Sequence, residues 1–116
     1  MSIISIEGME FFAYHGCFDE EQLIGTRFVV DASMEVNVEE ACVSDNLHKT
    51  IDYQKVYALI KVEMEIKSHL LENVCWRIIS SIKKQFPEII QLHVKVSKMS
   101  PPIGGKVNNV SFSAQM

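Results

Sequence analysis

Arg27-Phe-Val-Val-Asp-Ala-Ser-Met-Glu-Val-Asn-Val38 is the stretch that decides the fold. Phe28, Val30, Ala32, Met34, Val36 and Val38 share one parity, while Asp31, Ser33, Glu35 and Asn37 take the other. Successive side chains of a strand point to opposite faces, so this alternation predicts a β-strand with one face in the core and one in water. It is longer than the ~5 to 6 residues of an average strand. In so small a sheet a long strand leaves backbone groups to be paired, and a neighbouring subunit is one candidate.

On the N-terminal side, Ile4 and Ile6 alternate with Ser5 and Glu7 until Gly8 shifts the apolar parity to Met9 and Phe11. A strand with a bulge at its glycine is expected. Ala13-Tyr14-His15-Gly16-Cys17 then reads as a turn with two polar aromatics. Asp19 and Glu20, in the acidic run before Ile24-Gly25, read as a solvated loop.

On the C-terminal side, Val43 to Thr50 has turn chemistry and leads into a helix beginning near Asp52. Tyr53, Val56, Tyr57, Ile60 and Met64 form its apolar stripe at helical spacing. A second helix carries Leu71, Val74, Cys75, Ile78, Ile79, Ile82 and Phe86 inward, with Asn73, Arg77 and Lys84 on its polar face and Pro87 as its stop. The short link Ser68-His69-Leu70 implies antiparallel helices. Leu92, Val94 and Val96 alternate with His93, Lys95 and Ser97 as a third strand. Lys98 continues the apolar parity, so its amine leaves from the buried side. The segment Ser-Pro-Pro-Ile-Gly-Gly over residues 100–105 predicts an ordered turn, and Val110, Phe112 and Ala114 a last strand. The order β-β-α-α-β-β predicts an α+β fold in which two antiparallel helices cover one face of a four-stranded antiparallel sheet.

With 116 residues, one domain spanning 1–116 is expected. The 47% hydrophobic and 22% charged fractions and mean hydropathy of +0.09 suit a soluble protein, and no apolar run is long enough to span a membrane. The first residues lack a basic, then apolar, secretory pattern, which points to the cytoplasm. The widely spaced Cys17, Cys42 and Cys75 agree with reduced thiols. A net charge of -4 and no basic block argue against a nucleic-acid partner. His15, His48, His69 and His93 have no metal-ligand spacing, so neither a metal nor a cofactor is expected.

Four polar residues stand where a purely structural design does not need them: Glu21, Tyr53, Glu72 and Lys98. Each also has a structural reading; Glu72 can complement a helix N-terminus, and Tyr53 can be a core aromatic with its hydroxyl at the surface. Together they offer carboxylates, a phenol and an amine. Such a set can bind a guanidine-like heterocycle and move protons on it.

These residues and their surroundings resemble the dihydroneopterin aldolase family. The similarity rests on Gly8-Met9, Tyr14-His15-Gly16, Glu21 with Ile24-Gly25, Asp45 with Thr50 and Tyr53, Leu70-Leu71-Glu72, and Lys98 with Pro101-Pro102-Ile103-Gly104-Gly105, in register along the whole chain. The resemblance implies the tunnelling fold, in which the sheets of neighbouring subunits join into a barrel, with tetrameric rings stacked as a homo-octamer and sites between subunits. The long strand's free edge would then be the assembly interface.

The resemblance also assigns roles. Glu72 resembles the carboxylate that binds the pterin 2-amino and ring N–H groups, framed by the Leu71 main chain. Lys98 resembles the proton-transfer lysine, Glu21 its acidic partner, and Tyr53 a tyrosine contributed across the interface. Asp52, beside that tyrosine, joins the substrate-binding set. The implied reaction is retro-aldol cleavage of 7,8-dihydroneopterin to glycolaldehyde and 6-hydroxymethyl-7,8-dihydropterin, with epimerisation to 7,8-dihydromonapterin. The dihydropterin C=N is its own electron sink, so neither a lysine Schiff base nor a metal is required.

Three positions depart from the family pattern. Asp52 lies where the family varies, Thr26 replaces a frequent glutamine, and Gly104 replaces a common proline. The first two bear on substrate preference, and the third is expected to loosen the turn. Two rivals remain: a dihydroneopterin triphosphate epimerase, for which Lys106 and Arg27 are the available cations, and a non-catalytic oligomeric pterin-binding module.

Overall fold

The computed structural model describes residues 1–116. It contains β1 (Ser2–Ala13), α1 (Asp19–Ile24), β2 (Thr26–Val36), α2 (Glu39–Ser44), a 3-10 turn over Leu47–Lys49, α3 (Tyr53–Glu65), α4 (Leu71–Gln85), β3 (Gln91–Met99) and β4 (Asn109–Gln115). The four strands form one antiparallel sheet in the order β1-β2-β3-β4. The long helices α3 and α4 pack on each other and cover one face of it.

The core follows the alternation of β2. Phe28, Val30, Ala32, Met34 and Val36 are buried, and they meet Val56, Ile60 and Met64 of α3 and Val74, Cys75, Ile78, Ile79 and Ile82 of α4 in one cluster. The bulge falls where glycine shifts the pattern: register slips between Ile6 and Met9, Gly8 has φ +69°, and its N–H donates to Asp31 Oδ1 at 2.8 Å. A left-handed residue inside a strand is a conformation that glycine adopts at low cost.

Several expectations are corrected. β2 is not an edge strand: β1 pairs with one side from Thr26 to Val36 and β3 with the other from Phe28 to Glu35. The free edges belong to β1 and β4. β2 also ends at Val36, because Val38 becomes the N-cap of the short helix α2, which takes up the start of the region read as a turn. The acidic run is likewise helical rather than a loop. Asp19, Glu20 and Glu21 fill the first turn of α1, where carboxylates face the positive end of the peptide dipoles, and Gly25 caps it at φ +77°. In α3 the buried stripe is Val56, Ile60 and Met64 alone, with Tyr53 and Tyr57 outside it.

The molecule measures 52 × 24 × 20 Å and has a radius of gyration of 15.6 Å, against about 13 Å for a compact chain of this length.

Candidate active site

Lys98 continues the buried parity of β3 after Leu92, Val94 and Val96. In register it lies between Phe28 of β2 and Val110 of β4, and it is only 9% exposed. Its amine makes an ion pair with Glu21 Oε2 and reaches the His15 carbonyl at 3.5 Å. Burial lowers the Lys98 pKa from its ordinary value, with the Cys17 sulfur acting in the opposite sense. The contacting Glu21 carboxylate acts in the same sense as the sulfur, favouring the charged amine.

Glu21 is delivered by the third residue of α1. Its Oε1 accepts the Phe18 N–H at 3.4 Å, while its other oxygen faces Lys98. The carboxylate passes directly over Gly16, where an added Cβ would lie 2.6 Å from Glu21 Cβ and 2.8 Å from Oε2. Gly16 is therefore needed for close approach. Its N–H donates to the Ser68 carbonyl at 2.9 Å and its carbonyl accepts from Gln22 Nε2 at 2.9 Å, which fixes the turn between β1 and α1.

A cleft of about 290 Å³ opens at this pair. Glu20, Glu21, Ile24, Thr26, Lys98 and Pro102 line it. Ser100, also on the wall, has φ +48° and donates its N–H to the Asn108 carbonyl at 2.8 Å, closing the base of the Pro-Pro turn. Gly104 has φ +88°. Proline is fixed near φ −65°, so at this position glycine is the residue the backbone requires, beyond the loosening expected from sequence.

The other expected site residues lie elsewhere. Leu71 and Glu72 open α4, Leu71 half-buried and Glu72 exposed. They flank the link residue Ser68, whose N–H donates to His15 Nδ1 at 3.1 Å, so they share the Lys98 end of the molecule without lining the cleft. Tyr53 opens α3 and is 61% exposed, against the reading of it as a core aromatic. Asp52 is the N-cap of α3, its Oδ1 accepting the Gln54 N–H at 3.0 Å. The far end of α3 leads to Ser68 and the Lys98 region. At 1.5 Å per residue Tyr53 is roughly 18 Å away along the helix. The chain thus brings Lys98 and Glu21 together and keeps Asp52 and Tyr53 at its opposite end.

Sequence reading missed His15 and Arg77 as parts of this region. His15 is 2% exposed and meets Phe28 edge-on at 5.1 Å. Burial lowers its pKa to about 4, helped by Arg77 and, more weakly, Lys98, and opposed by the Met64 carbonyl. Arg77, half-buried, pairs with Glu63 at 2.7 Å and donates to the carbonyls of Glu63 and Ile66 and to Ser68 Oγ. A histidine in a turn and an arginine on a polar helix face carry no periodic signal. No group of three or more His, Cys, Asp or Glu is arranged as a metal site.

Residues 4–115 match the family model described as dihydroneopterin aldolase. The chain is 38% identical to the dihydroneopterin aldolase of Bacillus subtilis, over 97% of this chain and 94% of that one. It is 35% identical to that of Streptococcus pyogenes, over 99% and 98%. Among solved structures it resembles E. coli dihydroneopterin aldolase in complex with neopterin, with a TM-score of 0.92 at 22% identity, covering 100% and 99% of the two chains. It also resembles a Burkholderia dihydroneopterin aldolase bound to guanine, with a TM-score of 0.79 at 16% identity, covering 99% and 89%. The fold is thus shared with enzymes of the tunnelling type.

Proposed function

The chain belongs to the dihydroneopterin aldolase family, and from that premise we propose how its residues cleave 7,8-dihydroneopterin to glycolaldehyde and 6-hydroxymethyl-7,8-dihydropterin. The observation that carries the reading is the buried Lys98 amine paired with Glu21 at the mouth of a cleft. Burial lowers the Lys98 pKa, which eases release of its proton and favours its use as a base.

In the proposed reaction Lys98 takes the proton of a side-chain hydroxyl. That oxygen becomes the aldehyde carbonyl as its carbon-carbon bond breaks. The bond's electron pair enters the ring C=N, and a proton returned to the freed carbon, assisted by Tyr53, restores that double bond. Glu21 holds the amine and balances its charge. Re-addition of the aldehyde from the other face before release would give the epimer, 7,8-dihydromonapterin.

Glu72, with the Leu71 main chain, anchors the ring in this reading. Neopterin in the E. coli relative and guanine in the Burkholderia one both present an amino group beside a ring N–H. One carboxylate can accept both in parallel. Asp52 and Tyr53 come from a neighbouring subunit, which accounts for their distance from Lys98. The free edges of β1 and β4, exposed Ile3, Phe12 and Val110, and the elongated shape support a ring assembly, which we take as tetramers stacked into an octamer. A single domain with one core and three unpaired thiols also supports a cytoplasmic enzyme.

The cleft favours an uncharged side chain over a triphosphate. Glu20 and Glu21 face it, Lys98 is its single cation, Arg27 is committed to Glu10 at 3.0 Å, and Lys106 is not on its wall. Turnover of dihydroneopterin should therefore exceed that of its triphosphate by at least about tenfold, with EDTA leaving the rate unchanged. Preference for the triphosphate, or loss of activity on chelation, would overturn the assignment.

A further inference from the structure

His15 is buried, yet it lies outside the set of groups proposed to touch substrate. The residue touches two parts of the site, one through its ring and the other through its main chain. On one side Nδ1 accepts the Ser68 N–H at 3.1 Å, in the link that precedes Leu71 and Glu72. On the other, its own carbonyl accepts from the Lys98 amine at 3.5 Å. Phe28, the β2 register partner of Lys98, supports the imidazole edge-on. The next residue, Gly16, repeats the tie by donating to the Ser68 carbonyl at 2.9 Å, under the Glu21 carboxylate.

The link is itself clamped from the helical side. Arg77 holds the end of α3 through Glu63 and Ile66, and it donates to Ser68 Oγ at 2.7 Å. Ser68 Oγ in turn donates to Asn73 Oδ1 at 2.6 Å, on the first turns of α4. These contacts link Asn73, next to Glu72, to the Lys98 amine through Ser68 and His15, with His15 joining them by its ring on one side and its main chain on the other. Because Nδ1 accepts, the ring proton resides on Nε2, which makes no well-formed hydrogen bond and has only the Met64 carbonyl acting on it. A buried polar atom so weakly partnered is costly. A leucine would fill the space without that cost, so the imidazole is explained by what Nδ1 does.

We propose that His15 is a positioning residue that fixes the separation between the ring anchor at the start of α4 and the Lys98–Glu21 pair. The proposal rests on the roles given above to Glu72 and Lys98. Small displacements of reacting groups lower turnover more than they lower binding. Losing the tie should also let water reach Lys98, whose neighbours are the Glu21 carboxylate, the Cys17 thiol and the His15 carbonyl.

The test compares His15→Asn, which keeps an acceptor near the Nδ1 position, with His15→Gln and His15→Leu, which do not. If the Leu variant fails to fold, Gln carries the comparison. Gln and Leu should lower kcat by about 10- to 100-fold with KM within about threefold, and Asn should restore most of the rate. In parallel, the Lys98 titration midpoint, followed by NMR of its side-chain carbon next to nitrogen, should rise by roughly one pH unit in Gln and Leu but not in Asn. Unchanged kcat and midpoint in Gln and Leu, or an Asn variant as impaired as Gln, would overturn the proposal. If the parent protein does not turn over dihydroneopterin, the aldolase reading fails, and the Lys98 midpoint alone still decides whether His15 holds the amine.

Discussion

Lys98 leaves β3 on the side where three apolar residues precede it, and two opposed influences act on its amine. Burial favours the neutral form, and contact with Glu21 favours the charged one. The result is an amine held in one place by its partner, with burial making its proton easier to release. Lys98→Ala should therefore lower kcat by about 100-fold or more, the range of a general acid-base group. Pterin binding should persist, since the proposed anchor is Glu72. Fluorescence titration of the variant checks this, and a parallel loss of binding would make the role of Lys98 positional. His15 gives a second prediction at this scale. Its pKa falls from 6.5 to about 4 on folding, so between these values the unfolded chain takes up the proton more readily. Its contribution is complete above about pH 6.5 and is lost as pH falls toward 4. The loss is at most about 3 kcal/mol at 1.36 kcal/mol per pH unit. Urea melts at pH 7 and 4.5 should show the decline, and His15→Asn should flatten it.

Among the elements, those with a strong period were legible and those held by caps or contacts were not. The alternation of Phe28 to Val36 placed β2 and its buried face, and the same parity rule put Lys98 inward before any contact was known. Alternation does not say which strands lie alongside, so the interior position of β2 was hidden. A strand with one wet face looks the same at the edge and at the centre. Helix α1 was missed because six residues with no buried side chain have no stripe; its dipole and cap hold it, both read as loop signals. Of the site, the Lys98 parity is legible in the residues and its pairing with Glu21 only through the family resemblance; that the contact depends on Gly16 being bare is seen only in the folded backbone. The turn after β3 carries a testable consequence. Gly104 at φ +88° has no neighbour within 4 Å of an added Cβ, so space is not the constraint; the backbone angle is. Gly104→Pro should destabilise the fold by about 1 kcal/mol or more rather than stiffen it favourably. Thermal melts of the two proteins decide this, and a raised Tm would show that the turn accepts negative φ.

At the scale of the molecule, one chain holds half of what the proposed chemistry uses. Lys98 and Glu21 occupy one end, and Tyr53 lies roughly 18 Å off at the start of α3. Helices cover one sheet face, while β1 and β4 leave free edges. In the proposed ring of subunits those edges would be satisfied and the Tyr53 end of one chain would meet the Lys98 end of the next. Assembly and catalysis are then the same requirement, and a monomer would be inactive however well it folded.

Subunit mixing tests this most directly. Lys98→Ala and Tyr53→Ala proteins, each inactive alone, are dissociated, combined in equal amounts and reassembled, and glycolaldehyde release from dihydroneopterin is measured. A site shared between chains pairs the intact Lys98 of one variant with the intact Tyr53 of the other in roughly one site in four under random closure of the ring, so activity should return to about a quarter of the parent level. A mixture no more active than its separate components would contradict a site completed by the neighbouring subunit.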